Sequence, residues 1–276
     1  MCSSDCQSAH EQGEDNEEQG RDGQVGGLKQ FGNGAALMEP VAGAPLAPQG
    51  AYGSSEAPVI GECRVILIGQ YDSPFVRRVA IALRLYAMPY EHRPWSVFGD
   101  ADKVAAHNPL RRVPTLVLDD GESLIESGII LDWLDEQAGP DKALIPERGI
   151  ERRRVLKICA LATGLADKAV SLVYERLLHD RATPAWIERC TAQIAGALDV
   201  LEKDRAVRAT SCWFGGRIGH ADIAVAVVLR FVGEALPGLL DPARWPRLAA
   251  HAATCEALPD FQAVQQTFRV TLPRKN

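Results

Sequence analysis

No stretch of this 276-residue chain reaches the ~18 consecutive apolar residues of a membrane span, so no membrane association is expected. The first residues are acidic and lack an apolar core, which does not read as a secretory signal. Cysteine is sparse and odd in number, seven in all, with no spacing that suggests a disulfide framework or a metal site. Cys2 and Cys6 form a C-x3-C in a polar stretch, which alone is little reason to expect a metal. Sparse, unpaired cysteine points to a reducing cytoplasm. An excess of basic charge is missing too: the net charge is −6. Residues 1–60 hold nine acidic and two basic residues and carry −7 of it, which leaves the remainder at +1. A nearly neutral body argues against nucleic acid as the main partner. There is no G-x-S-x-G, no P-loop and no H-E-x-x-H.

What is present reads as a soluble globular body, with 46% hydrophobic and 24% charged residues. The length suits one large domain or two ordinary ones. Residues 1–61 are rich in Gly, Ser, Gln, Glu and Pro and read as a disordered acidic tail, within which Met38 offers an internal start. Gly32-Asn33-Gly34 follows no strand and reads as linker. Order is expected from Cys63. Arg64-Val65-Ile66-Leu67-Ile68 reads as a buried strand, Gly69 to Asp72 as a turn. From Pro74, Phe75, Val79, Leu83 and Tyr86 recur at helical spacing. Pro89 to Pro94 offers a second strand, and Asn108-Pro109 a turn. Thr115-Leu116-Val117-Leu118 and Glu122-Ser123-Leu124-Ile125 flank Asp119-Asp120-Gly121 as a hairpin, and a helix follows from Gly128 to Gln137. This order predicts an α+β domain over 62–140 with a mixed sheet. A linker over 141–150 leads to an all-helical domain over 151–270. Its helices are expected at 150–179, 184–204, 219–234 and 243–257, the last broken near Pro246.

Three segments carry the chemistry. Ser73-Pro74 puts a hydroxyl at an N-cap and proline in the first helical turn. That is a structural cap, or a donor to a bound thiolate beside a helix N-terminus, where a thiol's pKa falls. One Oγ serves both ends only in part. Tyr71, two residues earlier, is the rival donor, or a half-buried aromatic. Val113-Pro114 opens a strand. It is a plain strand start, or a cis peptide that turns the Val113 backbone toward an extended ligand. Glu126-Ser127 ends the hairpin and opens a helix. Ser127 reads as its N-cap, or as a cradle for a ligand carboxylate with Glu126 taking an ammonium. Arg112 and Arg77 offer a second carboxylate site, or are solvated surface arginines. Arg152-Arg153-Arg154 reads as an exposed helix face, and Asp222 beside His220 as a carboxylate complementing a helix N-terminus. Two helix N-termini and a backbone edge suit a small peptide-like ligand bearing a thiolate and carboxylates, a description that glutathione fits.

The order of these segments, Ile68-Gly69-Gln70-Tyr71-Asp72-Ser73-Pro74-Phe75 with Arg78-Val79, then Asn108-Pro109 before Arg112-Val113-Pro114, then Leu124-Ile125-Glu126-Ser127, resembles the glutathione S-transferases. The likeness is to their serine-type tau and zeta classes and bacterial-type members, and it spans about residues 63–270. It implies a thioredoxin-like N-terminal domain followed by an all-α C-terminal domain. By it, Ser73 holds the thiolate, with Tyr71 as rival. Phe75, Arg112, Val113 and Pro114 line the glutathione site, and Glu126 and Ser127 hold its γ-glutamyl end. It implies a cytoplasmic, homodimeric detoxification enzyme with glutathione as co-substrate and no metal or other cofactor. The enzyme would conjugate the thiolate to a small apolar electrophile near Leu172, Val173, Arg176 and Leu177. Alternatives are a glutathione-dependent isomerase of a maleyl-type substrate and a non-catalytic adaptor of the same fold. Two departures stand out: Gly219 where the family caps a helix with Ser or Thr, and Arg111 where a small residue is usual.

Overall fold

The computed structural model describes residues 65–269, within the unit Ala57–Asn276 of the chain. The predicted disordered tail, Cys2, Cys6, Met38 and Gly32-Asn33-Gly34 lie outside the described residues.

The first half has four strands. They are β1 (Val65–Ile68), β2 (Tyr90–Arg93), β3 (Thr115–Val117) and β4 (Ser123–Ile125). The sheet order is β2-β1-β3-β4. β1 runs parallel to β2, and β3 is antiparallel to both β1 and β4. The parallel pair needs a crossover, and helix α1 (Pro74–Leu85) supplies it. The segment read as irregular or helical holds a short helix, α2 (Ala101–Ala105). After the β3–β4 hairpin, α3 runs Ser127–Ala138.

α1 departs from a one-faced amphipathic helix. Every residue from Val76 to Leu83 is buried, Arg77 and Arg78 included. The cause is its position: it touches α3 and β1 of its own half and, across the molecule, a central helix and a short C-terminal one.

The second half is helical, with α4 (Gly149–Leu178), α5 (Pro184–Ala206) and α6 (His220–Ala235) close to the predicted positions, α7 (Pro246–Glu256) starting at the proline rather than before it, and a short α8 (Pro259–Gln262) beyond the predicted helices. α4, at 30 residues, is about 45 Å long. α6 is the central one. It is apolar on all sides and buried from His220 to Leu229, with α1, α4 and α7 around it. Four helices carry proline in the first turn (Pro74, Pro184, Pro246, Pro259), where the missing N–H costs nothing.

Gly219 caps α6 in extended backbone. Its N–H donates to Asp222 Oδ2 at 2.9 Å. A Cβ at Gly219 would lie 2.8 Å from the carbonyl oxygen of Leu144, the same oxygen that accepts from His220 N at 3.1 Å. The absent capping hydroxyl therefore has a reason: the linker carbonyl occupies its space. Asp222 does cap the helix as read, and it also accepts from Trp213 N at 2.6 Å. His220 turns away from Asp222. Its Nε2 lies 2.9 Å from Asp135 Oδ2 on α3. Burial lowers the His220 pKa against the pull of Asp135. The Asp135 carboxyl also accepts from Tyr86 OH and Leu144 N. Burial would raise its pKa, but these hydrogen bonds and the His220 contact outweigh it and hold it below the usual carboxylate range. His220 thus ties the two halves together.

Candidate active site

A cavity of about 540 Å³ opens between the sheet half and the helical half. Of the sequence-predicted residues, Ser73, Phe75, Arg112 and Val113 line it. Tyr71, Pro114, Glu126 and Ser127 do not.

Ser73 is the N-cap of α1, as expected. Its Oγ accepts from Val76 N at 3.4 Å, long for such a bond. That bond uses a lone pair and leaves the hydroxyl proton free to donate. The conflict expected between capping and donating is therefore removed: the two roles draw on different parts of one hydroxyl. Tyr71 lies elsewhere. Its OH is 2.8 Å from Tyr90 OH and its ring stacks on His92 at 3.9 Å. Burial and the Tyr90 contact push its pKa up, so the phenol keeps its proton; what separates it from Ser73 is its place outside the cavity wall, with its OH engaged by Tyr90.

Between them, Asp72 accepts from Arg269 N at 3.3 Å, and burial raises its pKa. Gly69 opens the turn with φ 128°. A Cβ there would meet Val76 Cγ2 at 2.5 Å and Val113 Cβ at 2.8 Å. Glycine is what lets Val113 approach the start of α1.

The Val113–Pro114 peptide is cis. The backbone of Val113 makes no hydrogen bond among the described residues. Pro114 is buried behind it. Asn108 builds the turn before it. Its side chain accepts from Leu110 N at 3.0 Å and donates to Arg112 O at 2.9 Å. Arg111 and Glu126 are two of three described non-glycine residues with positive φ, 52° and 67°. Such backbone outliers concentrate at functional sites. Arg112 lies 3.4 Å from Glu126, which brings the second and third predicted segments together. Glu126, not Ser127, is the N-cap of α3. Ser127 is its first residue, buried, with Oγ 3.4 Å from Arg78 Nη1. Burial lowers the pKa of Arg78, and its Nε has no partner among the described residues.

Arg77 is neither a ligand nor a surface arginine. It is 2% exposed and donates to both oxygens of Glu256, at 2.5 and 2.7 Å. Of the positions expected to line the electrophile's side, Val173 and Leu177 do. Leu172 points into the core and Arg176 is not in the wall. Sequence reasoning missed Trp95, Phe98, Tyr174, Phe231 and Phe268. They come from four separate segments, only Trp95 and Phe98 sharing one, so no local spacing could have gathered them.

Family models agree with this geometry. The glutathione S-transferase N-terminal domain matches residues 67–142, and the glutathione S-transferase C-terminal domain matches residues 184–254. The chain is 30% identical over 203 residues to maleylacetoacetate isomerase of Pseudomonas aeruginosa, covering 70% of this chain and 91% of that one. The chain belongs to the glutathione S-transferase family. It is also 35% identical over 142 residues to the uncharacterized GST-like protein YibF of Escherichia coli, covering 49% and 67%. A solved glutathione S-transferase of Methylobacterium radiotolerans, in complex with glutathione sulfonate, superposes with a TM-score of 0.71. It is 30% identical and spans 77% of this chain and all of that one. Within this transferase fold, the described residues hold no helix long and apolar enough to cross a membrane. They also hold no group of three or more His, Cys, Asp or Glu suited to a metal.

Proposed function

We propose that this transferase binds glutathione along Val113, Arg112, Glu126 and the start of α3, and conjugates its thiolate to a small apolar electrophile. The observation that carries this reading is the Ser73 hydroxyl. It sits in the cavity wall at the N-terminus of α1, loosely capped at 3.4 Å, with its proton available. A thiolate set there gains a hydroxyl donor and the partial positive charge of α1. The free Val113 backbone suits the cysteinyl peptide, Arg112 the glycyl carboxylate, and Glu126 the γ-glutamyl ammonium. Phe75 lines the same cavity as Arg112 and Val113. The enzyme works in the cytoplasm, as the unpaired cysteines among the described residues suggest, and as the homodimer that family membership suggests.

A second reading has one observation in its favour. The isomerase relative matches over nearly its whole length, and a thiolate held by Ser73 could equally add to and leave a maleyl-type double bond.

Steady-state kinetics with Ser73→Ala test the transferase reading. A fall in kcat of about a hundredfold is expected, the loss typical of a preorganised donor, with the glutathione Kd little changed. An unchanged kcat would remove Ser73 from the mechanism.

A further inference from the structure

We propose that Phe268 is the specificity-determining residue of the electrophile's half of the cavity. The ion-pair series Arg77–Glu256–Arg230–Glu234 sets it in place, and the favoured electrophile is a planar aromatic. The electrophile class rests on the transferase reading above; the placement of Phe268 does not.

Residues 264–269 form neither helix nor strand, yet they are stitched down at four points. Arg77 Nε donates to Val264 O at 3.1 Å. Tyr71 N donates to Gln266 Oε1 at 3.1 Å. Phe268 N donates to Glu234 Oε2 at 2.8 Å, and Arg269 N to Asp72 Oδ2 at 3.3 Å. Three of these tethers come from residues that flank Ser73. The fourth comes from α6. The strap is therefore held between α6 and the segment that carries Ser73, with Phe268 tied to the first and Arg269 to the second.

Phe268 meets Phe231 edge-on, with ring centres 5.4 Å apart. Across the same cavity Phe98 meets Tyr174 edge-on at 5.3 Å. Edges and faces presented by two such pairs favour a flat π-system over an alkyl group.

The Glu234 that fixes Phe268 is itself fixed. Its Oε1 is 2.9 Å from Arg230 Nε. Arg230 Nη1 is 3.2 Å from Glu256 Oε2, and Glu256 is clamped by both terminal nitrogens of Arg77 on α1. The charges alternate, sum to zero and are largely shielded from solvent. Removing Glu234 would leave Arg230 with Glu256 as its one acidic partner in the series and take away the acceptor of Phe268 N–H. Glu234 is thus a positioning residue and never touches the electrophile.

Chlorodinitrobenzene and iodomethane separate the contributions. In the first, the thiolate sulfur adds to the chlorine-bearing ring carbon, the nitro groups take up the charge, and chloride then leaves with the C–Cl electron pair. In the second, the C–S bond forms as the C–I bond of the methyl carbon breaks and iodide leaves with the electron pair. In both, the thiol proton passes to buffer. Phe268→Ala and Glu234→Ala are expected to lower the ratio of kcat/KM for the aromatic over the methyl electrophile about threefold to tenfold. The loss should lie in KM, and the glutathione Kd of Glu234→Ala should hold. Glu234→Gln, which keeps an acceptor for Phe268 N–H, should fall between wild type and alanine. An unchanged ratio, or a glutathione Kd that moves with KM, overturns the proposal. Fluorescence titration with anilinonaphthalene sulfonate reads the aromatic wall without catalysis. Weaker binding in both alanine variants supports the placement of Phe268 even if neither electrophile turns over, an outcome that would sink the transferase reading alone. Unchanged binding overturns the proposal.

Discussion

In the proposed reading the Ser73 hydroxyl serves structure and chemistry together, because the cap takes a lone pair and leaves the proton. Another residue whose role is set by what surrounds it is His251. It is buried against Trp213, with Nε2 3.3 Å from Asp222 and 3.6 Å from Cys255 Sγ. Burial, and then the charge of Arg205, lower its pKa from 6.5 to about 4. Between these values the unfolded chain binds a proton that the native protein refuses, so stability falls as pH drops from 6.5 toward 4. The loss should reach about 3 kcal/mol and flatten below pH 4. Urea midpoints of wild type and His251→Gln at both ends of that window check this. A smaller pH slope in the variant is expected; equal slopes would contradict it. At this scale the sequence was legible where a residue acts through its own backbone. Ser73 and Val113 lie at the helix and strand ends their neighbours dictate, whereas the cap of α3 falls on Glu126 and not on the expected Ser127. Arg77 was not legible, because its partner lies 179 residues away, and no local pattern distinguishes a buried arginine from a solvated one.

Elements were legible where punctuation marks them. Prolines at helix starts and Asp119-Asp120-Gly121 in the hairpin fixed most boundaries to within a few residues. The exceptions are contacts between elements. α1 reads as amphipathic because its period is sound, but packing from both halves buries it all round. Gly219 reads as a lost cap until the Leu144 carbonyl is seen in its way. Serine there would gain a few tenths of a kcal/mol as a cap. It would also force its Cβ against a backbone oxygen at 2.8 Å, a cost of about 1–3 kcal/mol for such overpacking. The clash is the larger effect, so Gly219→Ser should destabilise the protein by roughly 1–2 kcal/mol. Chemical denaturation measures this, and a stabilised variant would show that the linker yields.

At the scale of the whole molecule, α1 is the hub. Its N-terminus carries Ser73, its buried Arg77 reaches Glu256 on α7, and the strap over 264–269 returns to the turn before it. The sequence gives no sign of that strap, which lacks periodicity and is held by side chains from distant segments. For the homodimer, sedimentation at micromolar concentration should give twice the chain mass of 29.9 kDa; a single-chain mass would contradict it. The central claim, that this architecture exists to hold a thiolate at Ser73, is tested most directly by titrating glutathione's thiol, through thiolate absorbance, in complex with wild type and with Ser73→Ala. The account predicts a depressed pKa in the wild-type complex that returns toward the ~8.5 of a free thiol in the variant. An equally depressed pKa in both complexes would contradict the role of Ser73, and no saturable binding in either would contradict the transferase itself.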